Sequence, residues 1–268
     1  MNGSQPVLWH IPVSHYSEKA RWALDHKGVE HERRAPLPGA HMAIALWLTR
    51  GQQKTFPVLQ LEGRNIGDSS AVIEALETRW PDAPLYPEDP AERRRALELE
   101  DHFDEHVGPQ VRLLGWHELR KDPELIADVS EAMSPAPLRK LPGSRAFAGR
   151  FGTMFTQLRY RVASDEAAAG ARRDVLAAFD RLEEELDSSG GEYLAGDRFS
   201  VADLTAAALL YPIIAPPEGP QILPDEPPAG FAAFQESVAD RPGYKWVAEM
   251  FRKHRKPAAT AAAATSAA

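Results

Sequence analysis

The 268-residue chain contains no cysteine. Disulfides, a protein thiol nucleophile and cysteine-ligated zinc are therefore excluded. The chain also lacks any run approaching the roughly 20 apolar residues that cross a bilayer. Its start, Met1 to Pro6, has no basic segment leading into a long apolar one, so no signal peptide is expected. An excess of basic residues is missing as well. Lys and Arg number 31 against 39 Asp and Glu, a formal net charge of -8, which argues against a broad nucleic-acid surface. A cytoplasmic protein with no membrane or nucleic-acid partner is the expectation.

Strand signals are confined to the first 80 residues. Val7–Ile11 reads as a strand, Ser17–His26 as a helix, and Glu30–Ala35 as a weak polar strand. Ala40–Leu48 is helical, Phe56–Leu61 is a clear strand, and a Glu62-Gly63 turn leads to a short strand near Asn65-Ile66. Ser70–Trp80 is helical, with Ile73 and Leu76 on its inward stripe. Four prolines in residues 81–90 read as a linker. Everything after it has a helical pattern. One long helix is predicted over Ala91–Glu118, a break over 134–143, and further helices over Phe147–Arg161 and Arg172–Asp187, the latter stopped by Ser188-Ser189-Gly190-Gly191. Ser200 is an N-cap with Asp203 returning the bond, and Phe199 and Leu204 are spaced as a hydrophobic staple. The apolar helix that follows, to Ile214, is expected at the centre of the second domain. Phe231–Ala239 and Tyr244–His254 close the fold, and the Ala-rich residues 257–268 read as a disordered tail.

The most informative stretch is Ser14-His15-Tyr16-Ser17, at the turn from the first strand into the first helix. Free backbone N–H groups and the positive end of a helix can hold an anion there. In thioredoxin-like folds this turn carries the reactive sulfur, often as Cys-x-x-Cys. Here both positions are serine, which points to a sulfur that arrives on a ligand.

Three segments carry a family resemblance. They are Ser14-His-Tyr-Ser-Glu-Lys-Ala-Arg21, Thr55-Phe56-Pro57-Val58-Leu59, and Gly67-Asp68-Ser69-Ser70-Ala71-Val72-Ile73, followed by Tyr193-Leu-Ala-Gly196 and Ser200-x-x-Asp203. In order and spacing the chain resembles the cytosolic glutathione S-transferases, with an omega- or theta-like, serine-type turn. The resemblance implies an α/β plus all-α fold: a thioredoxin-like, glutathione-binding domain over 1–82 and a helical-bundle domain over 90–256. It further implies a homodimer in which glutathione is co-substrate, with no other cofactor and no metal, acting on a small, largely apolar electrophile, as in detoxification.

On this reading Ser14 donates its hydroxyl to the glutathione sulfur. Lowering a thiol pKa by one or two units raises the thiolate fraction several-fold to about tenfold. Ser14 can equally serve as a plain N-cap. Ser17, one turn on, is expected to face away. Tyr16 and His10 are reserve donors. Phe56, before a cis-Pro57, offers its backbone to the cysteinyl part of glutathione, as an added strand would. Asp68 and Ser69 cap the third helix and hold the γ-glutamyl end, and Lys54 is placed to pair with the glycine carboxylate. Phe103, His106 and Trp116 are expected to line the electrophile pocket.

His102-Phe-Asp-Glu-His106 also fits a zinc-protease pattern, but its acidic surroundings (Glu98, Glu100, Asp101) read as a solvated helix. Two alternatives stay open. One is a binding or regulatory protein of this fold without efficient chemistry. The other is a lyase or dehalogenase of this fold, using glutathione or another small thiol.

Overall fold

The computed structural model describes residues 5–36, 39–134, 139–160, 164–222 and 224–255. The expected tail over 257–268, part of the break over 134–143, and Arg161 lie outside the described residues.

The first part is a four-stranded sheet with helices packed on it. In chain order it runs β1 (Val7–Trp9), α1 (His15–His26), β2 (Glu32–Arg34), α2 (His41–Leu48), β3 (Val58–Leu61), β4 (Arg64–Gly67) and α3 (Ser69–Arg79). The spatial order is β2-β1-β3-β4. β1 runs parallel to β2, with Leu8 opposite Arg33, and antiparallel to β3, with Leu8 opposite Leu59. Glu62 and Gly63 both take positive φ, 50° and 78°, so the β3–β4 hairpin is a two-residue turn whose twist matches the strands.

From Pro90 onward the regular elements among the described residues are helices: α4 (Pro90–His102), a π-helical turn (Phe103–Val107), α5 (Gly108–Leu119), α6 (Pro123–Ala132), α7 (Ser144–Tyr160), α8 (Asp165–Ser189), α9 (Val201–Ile214), α10 (Ala229–Val238) and α11 (Pro242–His254). The single long helix expected over Ala91–Glu118 is thus interrupted by a π-turn. α8 starts earlier than expected, because Ser164 caps it by accepting from Ala167 N at 3.1 Å. It ends where Gly190 takes the left-handed conformation, φ 98°. The proline-rich stretch after α3 is pinned rather than free. Leu85 is fully buried, its N–H donates to Glu77, and its carbonyl accepts from Val201 N at 2.8 Å.

α9 is buried along almost its whole length and packs on α1, α4, α5 and α11. Its start is the capping box read from sequence. Asp203 accepts from Ser200 N, Ser200 Oγ and Leu194 N, at 2.7–2.8 Å. Burial pushes its carboxyl up to about 6 against those three donors. α6 and α7 pair closely. A Cβ on Gly149 would lie 2.8 Å from Ala127 Cβ, so only glycine permits that approach.

Candidate functional site

The turn before α1 is clamped from several sides. Ser17 is fully buried, and its Oγ accepts from Ile11 N at 3.1 Å, so it holds the turn from behind. Arg21 donates to Ile11 O at 3.4 Å and Pro12 O at 3.1 Å, and Tyr211 donates to Val13 O at 3.0 Å. Ser14 is left as the N-cap of α1, its Oγ accepting from Ser17 N at 3.3 Å. That leaves the hydroxyl hydrogen for a further acceptor.

Ser14 lines a cavity of about 720 Å³ between the sheet domain and the helices. Phe56 and Pro57, joined by a cis peptide bond, line it too, as do Gln53 and Thr55. Asp68 and Ser69 close this end. Asp68 caps α3 by accepting from Ser70 N at 2.9 Å and Ala71 N at 3.3 Å, with its own φ at 78°. Ser69 is buried, and its Oγ has no hydrogen-bond partner. Such an orphan at a helix N-terminus is a ready donor to an anion. Lys54 is exposed and does not line the cavity.

Neither reserve donor is available to a sulfur. Tyr16 lines the cavity, but its hydroxyl donates to Asp104 O at 2.7 Å, and burial pushes its pKa up. His10 Nδ1 accepts from Arg21 at 2.7 Å, and burial together with the Arg21 charge holds its pKa well below the ordinary value. His10 therefore stays neutral, with Nδ1 an acceptor and the proton on Nε2, but it does not line the cavity.

The helical wall departs further from expectation. Trp116 lines the cavity and packs near Val13, Leu119 and Val129. Phe103 and His106 do not line it. Phe103 is fully buried in the main core, and His106 is exposed, its ring 5.5 Å from that of His102. The wider π-turn adds a residue to the helical turn, so phase counted for a continuous α-helix fails there. The face towards the sheet domain is instead set by Asp104. Lys19, fully buried, reaches Asp104 at 2.6 Å, Glu100 at 2.9 Å and Ser70 Oγ at 2.8 Å, joining α1, α3 and α4 through one cation. Among the described residues no group of three or more metal-ligating side chains is present.

Sequence reasoning missed Gln53, Thr55, Glu105 and Arg112 as cavity residues. Arg112 was within reach, because it lies four positions before Trp116 and hence on the same helix face.

Residues 8–84 match the glutathione S-transferase N-terminal domain, and residues 165–248 match its C-terminal domain. The chain is 26% identical over 211 residues to maleylacetoacetate isomerase of Rattus norvegicus, covering 77% of each chain. Among solved structures it is similar to the beta-etherase LigF from Sphingobium sp., with a TM-score of 0.58 and 22% identity over 92% of this chain and 99% of the other. It is also similar to a theta class glutathione S-transferase from Xanthomonas axonopodis pv. citri with glutathione bound, with a TM-score of 0.54 and 19% identity over 90% and 95% of the two chains. With a family match to each of its two parts, this chain belongs to the glutathione S-transferase family.

Proposed function

We propose that the protein activates the thiol of glutathione through Ser14 and directs it at a small electrophile in the same cavity. The observation that carries this reading is a capped serine hydroxyl at a clamped helix N-terminus, sharing one cavity with the cis-Pro57 turn and the unpartnered Ser69 Oγ, in a chain with no thiol of its own. Ser69 would take the γ-glutamyl carboxylate and Asp68 its ammonium, while the backbone of Phe56 would pair with the cysteinyl unit. Ser14 O–H and the end of α1 would then lower the thiol pKa. In conjugation the thiolate forms a carbon–sulfur bond, and the electron pair leaves with the departing group. Glutathione is the co-substrate; no further cofactor is invoked.

The isomerase-named relatives favour a second reading, in which glutathione is added and expelled again and the electrophile leaves rearranged. Net consumption of glutathione separates the two. The protein is further proposed to act as a cytoplasmic homodimer. Among the described residues no helix is long and apolar enough to cross a membrane, and light scattering returning a 29.6 kDa monomer at micromolar concentration would rule out the dimer.

Glutathione binding is the direct test. Calorimetry and thermal unfolding should show binding to the native chain, with about 2.7 kcal/mol of stabilisation at a hundredfold excess over Kd. No heat and no thermal shift at millimolar glutathione would refute the reading.

A further inference from the structure

The backbone carbonyl of Asp104 has lost both of its helical donors. In an α-helix it would accept from Gly108 N, but in the π-turn that N–H donates to Phe103 O. The next residue, Pro109, has no N–H to offer. A buried carbonyl needs a partner, and Tyr16 supplies it: the phenol donates to Asp104 O at 2.7 Å. Gly108 makes room for that bond. A Cβ there would collide with the Tyr16 hydroxyl and lie 2.8 Å from its Cζ.

This bond falls on the far side of Ser14 from another of the same kind. Just before Ser14, Tyr211 of α9 donates to Val13 O at 3.0 Å. Just after it, Tyr16 donates to Asp104 O. The serine thus sits between two phenol bonds to helical elements. One turn further along α1, Lys19 takes Asp104 Oδ1 at 2.6 Å, so a single residue holds α1 twice. Ser14 caps this same first turn through Ser17 N, and the direction left to its hydroxyl hydrogen follows the angle of the turn. The phenol cannot itself serve the sulfur. Its proton is committed to Asp104 O, and burial, then the Asp104 charge, raise its pKa.

We propose that Tyr16 is a positioning residue. Bound to the carbonyl that the π-turn and Pro109 leave open, it holds the N-cap of α1 at the angle at which the Ser14 hydroxyl meets the glutathione sulfur. The helical domain thereby helps to set the thiol pKa through a group that does not touch the sulfur. This role rests on the transferase reading above.

A double-mutant cycle on the full chain tests it, read by the thiolate absorbance of bound glutathione against pH. The charged groups that face the phenol, Asp104, Arg112, Glu105 and Asp68, are all kept in Tyr16→Phe, so only the hydroxyl is removed. Tyr16→Phe should raise the pKa of the bound thiol by about 0.5–1. Glutathione affinity, measured at a pH that keeps the thiol protonated, should stay within about twofold. In a Ser14→Ala background the same substitution should move the titration by less than about 0.2, because Ser14 is the group through which it acts. Gly108→Ala keeps every polar group but pushes the phenol away from Asp104 O. It should give a similar shift, again only when Ser14 is present, and it carries the cycle if Tyr16→Phe does not fold. An unmoved titration in either single variant would overturn the proposal. So would equal shifts with and without Ser14, which would make the phenol act on the sulfur directly. A glutathione-induced thermal shift without that dependence on Ser14 sinks this inference alone. The absence of the thermal shift in the wild type sinks the reading on which it rests.

Discussion

The two walls of the cavity are built on different physical plans. The sheet-domain wall presents backbone and small hydroxyls at fixed points: the N-cap of α1, the turn before β3 and the N-terminus of α3. Its geometry is set within a few residues of each functional group. The helical wall presents long side chains, Glu105, Arg112 and Trp116, whose direction depends on helix phase through a π-turn and on an ion cluster reaching back to α1. The first wall is suited to one invariant ligand. The second can change its ligand by exchanging a few side chains, which is where substrate preference is expected to reside.

The largest effect should come from the group that ties the walls together. Lys19→Met leaves the carboxylates of Glu100 and Asp104 without their shared cation in a dry site, a loss of about 3–5 kcal/mol of folding stability. Denaturant unfolding measures it, and adding Glu100→Gln should restore part of the loss. Full stability in Lys19→Met would show that the walls are held by apolar packing alone. On the sheet-domain side, Ser14→Ala should weaken thiolate stabilisation by about 1.5–3 kcal/mol. The rate should fall roughly tenfold to a hundredfold, with only about 1 kcal/mol lost from the helix cap. The absorbance of bound thiolate against pH reads this directly, and an unmoved titration would assign the activating group elsewhere. On the helical side, Trp116→Ala should raise KM for the electrophile and leave that for glutathione unchanged, because removing the indole weakens apolar burial of the substrate by about 1–2 kcal/mol. His106→Ala should alter neither. Equal effects of the two substitutions would mean that the cavity extends to the exposed face.

At neutral pH the smallest effect is that of His15, which grows only as the solution is acidified. His15 titrates near 6.5 when unfolded and at about 3 in the fold, so the unfolded chain binds more protons between those values. Stability is full above pH 6.5 and falls as pH drops towards 3, by at most about 1.4 kcal/mol per unit from this group. His15→Gln should flatten the acid limb of a stability–pH curve, and an unchanged slope would place the titrating groups elsewhere.

The same contrast explains what could be read from the sequence. Ser14 at the N-cap of α1, the cis Phe56-Pro57 pair and Asp68-Ser69 at the start of α3 are each placed by local backbone geometry, so a few consecutive residues disclose them. The capping box at Ser200 and Asp203 was legible for that reason, and the two hydrogen bonds to Asp203 from Ser200 answer to it. Phe103 and His106 were misplaced because nothing in the sequence His102 to Gly108 announces a π-turn. Tyr16 and His10 carry plausible donors, but their commitments to Asp104 O and Arg21 are made by partners 88 and 11 positions away. Contacts of that kind are fixed by tertiary packing and leave no periodic trace.

The helix behind Ser14 is completed by residues more than 200 positions further along the chain. Trp22 Nε1 donates to His254 O, and Arg255 reaches Glu18 at 2.6 Å and Asp25 at 2.7 Å, across 237 and 230 positions of chain. Translation delivers residues at about 5–20 per second, so Glu18 leaves the ribosome roughly 10–50 s before the arginine that neutralises it. Arg21 is made at once and can shield the other oxygen of Glu18, at 2.7 Å, during that interval. The nascent sheet domain must therefore wait, with one face of α1 uncovered and one carboxylate half-paired, until the helices through α11 have been made.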